Sequence, residues 1–327
     1  MKHALFWHKK DNTTVVCDLC PHHCRIKNGG HGLCRIRMNN DTTLYATGYG
    51  NIVSYAIDPI EKKPLYHFYP GKNILSVGVN GCNLTCKFCQ NWQVSQCDQP
   101  TQYVSPDELI RMAIQYRSFG IAFTYTEPLI WYEYLIDCST RARMEGLKIV
   151  LVTNGYICKE AAQELLPHID ALNIDLKSMN PEFYQNTCGG TLEPVVEFIK
   201  LADKQCHIEI TNLIIPTLND SSDDIESLAE FIASVNPHIP VHFSAYYPQY
   251  KMDIPSTPPD TLKNVYQTAK KYLNYVYLGN TTLNMGNNTF CPNCNNLMIQ
   301  RTGYHTLITG LEKSACSQCG AEINIIM

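Results

Sequence analysis

The chain has 327 residues, 45% of them apolar, a formal net charge of −4 and 16 cysteines. That is enough apolar material for a complete core within one α/β barrel plus small appendages, and the mild negative charge excludes a protein that holds nucleic acid through a broad basic surface. Met1 to Val16 mixes Lys and Asp with short apolar stretches. With no leader-like apolar segment there and no run approaching a membrane span, the expectation is a cytoplasmic protein that does not enter a membrane.

So many thiols in a reducing compartment do not read as a disulfide framework, and clustered ones read as metal ligands. The first cluster, Cys17-x2-Cys20-Pro-His-His-Cys24 with Cys34 beyond Gly29-Gly30-His31-Gly32, marks a cysteine-rich segment over residues 1–55. Zinc would make it structural, whereas a second iron–sulfur cluster would relay electrons or bind substrate; four thiolates suit both, zinc being preferred. His22, His23 and His31 stand beside it as further candidate ligands. Cys97, Cys138, Cys158, Cys188 and Cys206 stand singly and read as small buried hydrophobes.

From residue 73 onward, short β-rich runs alternate with longer amphipathic stretches, the pattern of βα units around a parallel sheet. Strands are predicted at Ile74–Val79, Ile121–Tyr125, Lys148–Thr153, Ala171–Asp175, His207–Ile215 and Val241–Ala245, which is too few for a closed eight-stranded barrel. Helices start at Ser105-Pro106-Asp107-Glu108, after Asp220 to Asp224, and at Pro258-Pro259. Polar groups crowd the strands' carboxyl ends, the face that carries chemistry in barrels of this kind.

The loop after the first strand carries Cys82-x3-Cys86-x2-Cys89, with Phe88 before the last cysteine. Three thiolates on so short a loop suit a four-iron cubane and leave one iron open, as a catalytic zinc keeps a vacant position. Structural zinc sites instead pair two C-x2-C knuckles. That pairing does occur at the other end, where Cys291 and Cys294 precede Cys316 and Cys319 by the spacing of a zinc ribbon. Such a closed four-thiolate site stabilises fold, and iron in a rubredoxin-like version is its alternative. Strand-like Leu297–Arg301 and Tyr304–Ile308 fit the module, and Gly279 to Asn288 reads as the linker into it.

The triplet, its place after the first strand and the six βα units resemble the radical SAM superfamily. The resemblance implies an α/β fold: a partial (β/α)6 barrel over residues 56–285, with the N-terminal cysteine-rich segment and a zinc-ribbon-like module over 286–327. It also implies a [4Fe–4S] cluster on Cys82, Cys86 and Cys89. The open iron would take the amino and carboxylate groups of S-adenosyl-L-methionine (SAM), and one electron would cleave it to a 5′-deoxyadenosyl radical that abstracts hydrogen. Asp58 to Gly71 (D-P-I-E-K-K-P-L-Y-H-F-Y-P-G), Thr124 to Pro128, Asp175-Leu176-Lys177 and both terminal cysteine groups resemble the radical SAM enzyme of the AmmeMemoRadiSam system. That family is related to pyruvate formate-lyase activating enzymes.

The same resemblance places SAM contacts at Tyr125, Thr126 and Glu127, where the superfamily has Gly-Gly-Glu and this chain lacks both glycines. Further contacts fall at Thr153, Asn154 and Gly155 after the third strand and at Asp175 and Lys177 after the fourth. Lys177 would pair with the SAM carboxylate, and Asp175 would accept from ribose hydroxyls or hold the lysine. The plainer reading is a turn at Asn154-Gly155 and a solvated ion pair at Asp175 and Lys177. His67, between Tyr66 and Phe68, reads as a packing residue. Implied partners are a ferredoxin or flavodoxin as low-potential donor, a small-molecule or protein substrate, and companion proteins of the AMME-syndrome-related and Memo-like families. A glycyl-radical activase is an alternative, although the ferredoxin-like insertion after the triplet is absent. The rival from another class is a non-catalytic zinc scaffold.

Overall fold

The computed structural model describes all 327 residues. The alternating pattern produces one eight-stranded sheet, in the order Val276–Gly279, Val241–Ala245, His207–Ile214, Ala171–Asp175, Lys148–Thr153, Gly120–Phe123, Asn73–Gly78 and Ser54–Pro59. Neighbours pair in parallel except at the end, where Ser54–Pro59 runs antiparallel to Asn73–Gly78. All six expected strands are present. The expected count is nevertheless short, because a seventh parallel strand and the antiparallel one extend the sheet at its two edges. Both are edge strands, where one-sided pairing weakens the apolar pattern that marks a central strand.

The two edges do not pair with each other, so the sheet is open. The segment that follows the antiparallel edge strand reaches across the opening. Backbone N–H groups of Tyr66 and His67 donate to the two carboxylate oxygens of Glu209 at 2.9 and 2.7 Å, and His67 Nε2 shares a 2.7 Å hydrogen bond with the Tyr277 hydroxyl on the opposite edge strand. Glu209 also accepts from His207 Nε2 at 3.0 Å and from His242 Nε2 at 2.6 Å. Burial pushes its carboxyl up, but those histidine hydrogen bonds outweigh burial and leave it well below the usual carboxylate range.

Helices cover the sheet with the starts the sequence encodes. Ser105 and Glu108 form a reciprocal capping box on Pro106–Gln115, Ser221 caps Ser222–Val235, and Pro258 precedes Pro259–Ala269. No helix is long and apolar enough to cross a membrane.

The N-terminal residues form two small antiparallel sheets, Trp7–Lys9 with Thr14–Cys17 and Arg25–Lys27, and Lys2–His3 with Thr43–Ala46 and Arg37–Asn40. They share one core of 68 buried residues with the large sheet, Cys17, Leu19 and Cys34 included. The C-terminal hairpins instead enclose a separate core of eight, built from Tyr275, Tyr277, Cys291, Met298, Ile299, Cys316, Ile323 and Ile325. Stretch 280–288 has no regular structure and is tied back where Leu278 N donates to Gly286 O.

Candidate active site

Cys82, Cys86 and Cys89 lie beyond the carboxyl end of the Asn73–Gly78 strand, on a loop that stays irregular until Trp92–Ser95. A second segment shapes it: Thr85 N donates to Cys188 O at 2.8 Å and Lys87 N to Thr187 O at 2.9 Å. Gly189, at φ 75°, permits this approach, because a Cβ there would collide with Thr85 Oγ1. Leu84 N donates to Cys82 Sγ at 3.3 Å, and Ser95 Oγ lies 3.2 Å from Cys89 Sγ.

All three thiols open into one cavity of about 260 Å³ at the sheet's carboxyl face, whose wall includes Phe88, Tyr125, Thr126, Glu127, Asn154, Asp175 and Lys177. Six of the eight expected cofactor contacts are thus brought to the triplet. Thr153 and Gly155 are not in the wall: Thr153 Oγ1 donates to Glu127 Oε1 at 2.6 Å, and Gly155 N donates to Thr153 Oγ1 at 3.1 Å. They support Glu127 from behind.

Glu127 is fully buried, and its oxygens are committed to protein. Oε1 also accepts from Leu129 N at 2.9 Å, and Oε2 accepts from Asn154 N at 2.7 Å. Burial raises its carboxyl to about 7 despite these bonds, so Glu127 pins two strand ends together instead of reaching into the cavity. Asn154, fixed in this way, donates from Nδ2 to Asn83 Oδ1 at 2.9 Å and points the same group at Cys82 Sγ, 3.7 Å away.

Tyr125 stands at φ 70°, in the left-handed region that glycine normally fills. This explains how the loop forms without the two glycines: the backbone adopts the strained turn anyway, at a cost on the order of 1–3 kcal/mol, and other contacts hold it. The Tyr125 hydroxyl donates to Asp58 Oδ2 at 3.0 Å, Asn91 Nδ2 donates to the Tyr125 carbonyl at 2.7 Å, and Thr126 Oγ1 donates to Val79 O at 2.6 Å. Asp58 in turn takes Lys62 and Lys63 at 2.8 and 2.7 Å. The sequence segment from Asp58 therefore buttresses the cavity wall without entering it.

Lys177 Nζ donates to Asp175 Oδ2 at 3.0 Å and lies 5.7 Å from the centre of the Phe88 ring. Burial works against its ammonium, but Asp175 and the thiols of Cys86 and Cys188 outweigh burial and raise it well above the ordinary lysine range. The pair is buried on the lysine side, unlike the solvated pair of the plainer reading. Cys188, which reads in the sequence as a lone buried hydrophobe, sits close enough to Cys86 for the two thiols to influence one another. A short π-helical turn, Tyr184–Cys188, delivers it, and no sequence spacing announces the contact.

A wider cavity of about 800 Å³ adjoins the first and shares Gln90, Ser244 and Asn280 with it. Its far wall combines Lys62, Tyr66 and His242 with Gly303 and Tyr304 from the C-terminal hairpin turn.

The terminal cysteine groups differ in compactness. The sulfurs of Cys291, Cys294, Cys316 and Cys319 all lie within 4.8 Å of one another, with Cys291–Cys319 and Cys294–Cys316 at 3.6 Å. Tetrahedral zinc–thiolate bonds of ≈ 2.3 Å place sulfurs about 3.8 Å apart, so the group fits one ion. Burial raises Cys316, but N–H groups of Cys319, Gln318 and Asn296, with the Cys294 thiol, outweigh it and draw the thiol below the usual cysteine range. No three thiols of the N-terminal group or of the triplet come within that span. Burial raises Cys17, Cys20 and Cys34, and Cys20 also feels the charges of Cys17, Cys24 and Cys34.

The family model of the radical SAM superfamily matches residues 76–232, and a zinc-ribbon model described as RNA polymerases M/15 Kd subunit matches residues 289–325. The uncharacterised protein MJ0808 of Methanocaldococcus jannaschii is 44% identical over 336 residues, covering 100% of each chain. The pyruvate formate-lyase 1-activating enzyme of Escherichia coli K12 is 29% identical over 160 residues, 46% of this chain and 65% of that protein. A solved radical SAM methyltransferase from Sphaerobacter thermophilus shares the fold at TM-score 0.51 and 14% identity, covering 83% of this chain and 74% of that one.

Proposed function

The chain belongs to the radical SAM superfamily, and from that premise we propose that Cys82, Cys86 and Cys89 hold a [4Fe–4S] cluster and that SAM binds against it in the 260 Å³ cavity. The observation that carries this is convergence: three thiols from one loop and the Asp175–Lys177 pair open into one cavity at the sheet's carboxyl face. The thiols stand too far apart for a single ion yet share one wall, which suits a cubane. A cluster and SAM bound there would supply reductive carbon–sulfur cleavage and, through it, abstraction of hydrogen from a substrate C–H bond.

The protein's own groups bind, orient and exclude water. Burial and the nearby Glu127 raise the Cys82 thiol, and Leu84 N and Asn154 Nδ2, both aimed at its Sγ, offset part of that. The Lys177 ammonium, held by Asp175, offers a cation to the SAM carboxylate, and Asp175 keeps a second oxygen for a ribose hydroxyl. Tyr125 and Thr126 present backbone to the methionine end, while Phe88 screens the thiols from solvent. The substrate enters through the 800 Å³ vestibule. A low-potential ferredoxin or flavodoxin supplies the electron in the cytoplasm, and the compact C-terminal quartet binds structural zinc.

The test is Cys86→Ala, reconstituted anaerobically with dithionite and SAM. Formation of 5′-deoxyadenosine falls below detection while circular dichroism is preserved; a variant that still cleaves SAM overturns the ligand assignment. A second reading, glycyl-radical activation of a partner protein, draws on the similarity to pyruvate formate-lyase 1-activating enzyme, and membership of the AmmeMemoRadiSam system draws on the Asp58 to Gly71 segment.

A further inference from the structure

We propose that Cys17, Cys20, Cys24 and Cys34 hold a second iron–sulfur cluster of the four-iron type, and not the zinc ion that the sequence favoured. The proposal stands on spacing, burial and place.

Spacing separates two metals that share a ligand set. Four thiolates accept zinc or iron equally well by type, but a single tetrahedral ion draws its sulfurs to about 3.8 Å from one another. The C-terminal quartet has that compactness and makes two thiol–thiol contacts of 3.6 Å. The thiols of the N-terminal quartet lie within electrostatic reach of one another, yet no three of them lie within 4.8 Å, and no pair makes such a contact. The triplet at the active site is spread in the same way. A cubane, whose thiolates sit on four separate irons, requires that wider spread.

Burial supplies the second observation. Arg37 is 1% exposed, bonded to Glu133 at 2.7 and 2.9 Å, and lies within electrostatic reach of Cys17 and Cys34. Its Nε is buried without a hydrogen-bond partner, leaving a donor that an added acceptor would satisfy. A cluster's inorganic sulfides are additional acceptors that a zinc tetrathiolate lacks. Leu33 N already donates to Cys24 Sγ at 3.5 Å, so the site also directs a donor from the chain at a ligand sulfur.

Place supplies the third. The carbonyl of Cys34 abuts Gly81, the residue before Cys82, and His22 Nε2 bonds the Asn83 carbonyl at 2.6 Å. Arg35, next to Cys34, donates to Ser95 O and Cys97 O at 3.2 Å each. The quartet is thus fastened to the loop that carries the triplet. A redox centre that takes up and passes on one electron has a neighbour there to exchange it with, whereas zinc has no such capacity.

The test uses the full chain, made anaerobically, with Cys82, Cys86 and Cys89 all changed to Ala. This variant is expected to keep about four irons and four sulfides per chain, roughly half the wild-type iron, and to give a [4Fe–4S]⁺ paramagnetic resonance signal on dithionite reduction. A variant with no iron and a second equivalent of zinc overturns the proposal. Cys20→Ala in the otherwise native chain is the reciprocal: iron falls by half, and the iron that remains keeps a paramagnetic resonance signal that shifts when SAM is added. Should the active-site reading fail instead, iron survives in the triple variant while wild-type protein leaves SAM intact, so the two failures are distinguishable.

Discussion

Cys291, Cys294, Cys316 and Cys319 close around a single point at one end of the chain, while Cys17, Cys20, Cys24 and Cys34 at the other end stand apart inside the main core. The C-terminal group organises an eight-residue core that takes in Tyr275 and Tyr277 from the sheet's edge, and polar bonds reinforce that seam: Arg301 to Tyr66 O and Thr289 Oγ1, Thr306 Oγ1 to Glu61, and Ile326 N to His67 O. The N-terminal group has no core of its own, and Gly81, Asn83 and Ser95 carry its contacts straight to the active-site loop. One quartet completes an appended module; the other belongs to the catalytic body. Equal numbers of cysteines therefore say little until the packing around them is known.

Three measurements sharpen or break that contrast. The largest effect is expected at Gly81→Ala. A Cβ there collides with the Cys34 carbonyl oxygen, and φ 97° already disfavours any side chain, so unfolding stability drops by more than about 3 kcal/mol and iron is lost. Denaturant unfolding of anaerobic protein checks it; a wild-type curve means the two regions are not welded there. Arg301→Ala comes next, with a loss of about 2–3 kcal/mol that stays local, because a fully buried cation and its bonds to Tyr66 and Thr289 are removed at once. Hydrogen exchange should rise across 289–327 while the large sheet keeps its protection, and exchange spreading into the sheet would contradict the modular picture.

The smallest effect is in pH. Burial lowers His67 from 6.5 to about 3, so the folded state binds fewer protons than the unfolded one between those values. Its contribution is intact above about 6.5 and is lost progressively as pH falls toward 3; Glu209, held low, adds a further loss once pH drops below the ordinary carboxylate range. Melting temperature against pH for wild type and His67→Gln reads this directly. The variant's curve should be flatter between pH 6.5 and 3, and parallel curves would remove His67 from the seam's acid response.

Much of this architecture is legible in the residues. Buried parallel strands read as near-continuous apolar runs, so the six central strands and the loop carrying Cys82, Cys86 and Cys89 follow from pattern alone. What escapes is whatever depends on a partner distant in sequence. Tyr125 holds a glycine-like backbone because Asp58, 67 residues earlier, anchors its hydroxyl. Cys188 reaches Cys86 through a π-helical turn that no spacing rule anticipates. Thr153 and Gly155 sit at the right strand end but face inward, since Glu127 needs their support. The strand Val276–Gly279 lies at the sheet's edge, paired on one side alone, and its apolar run of three residues ends at a glycine.

The turn between the strands Leu297–Thr302 and His305–Ile308 contributes Gly303 and Tyr304 to the wall of the outer cavity. The hairpin that frames this doorway depends on the ribbon keeping its shape, so the zinc proposed for the quartet would help set the doorway's width without any part in bond-making. Stripping that ion would leave a reactive interior ajar to dioxygen and bulk solvent before any cluster ligand had been touched.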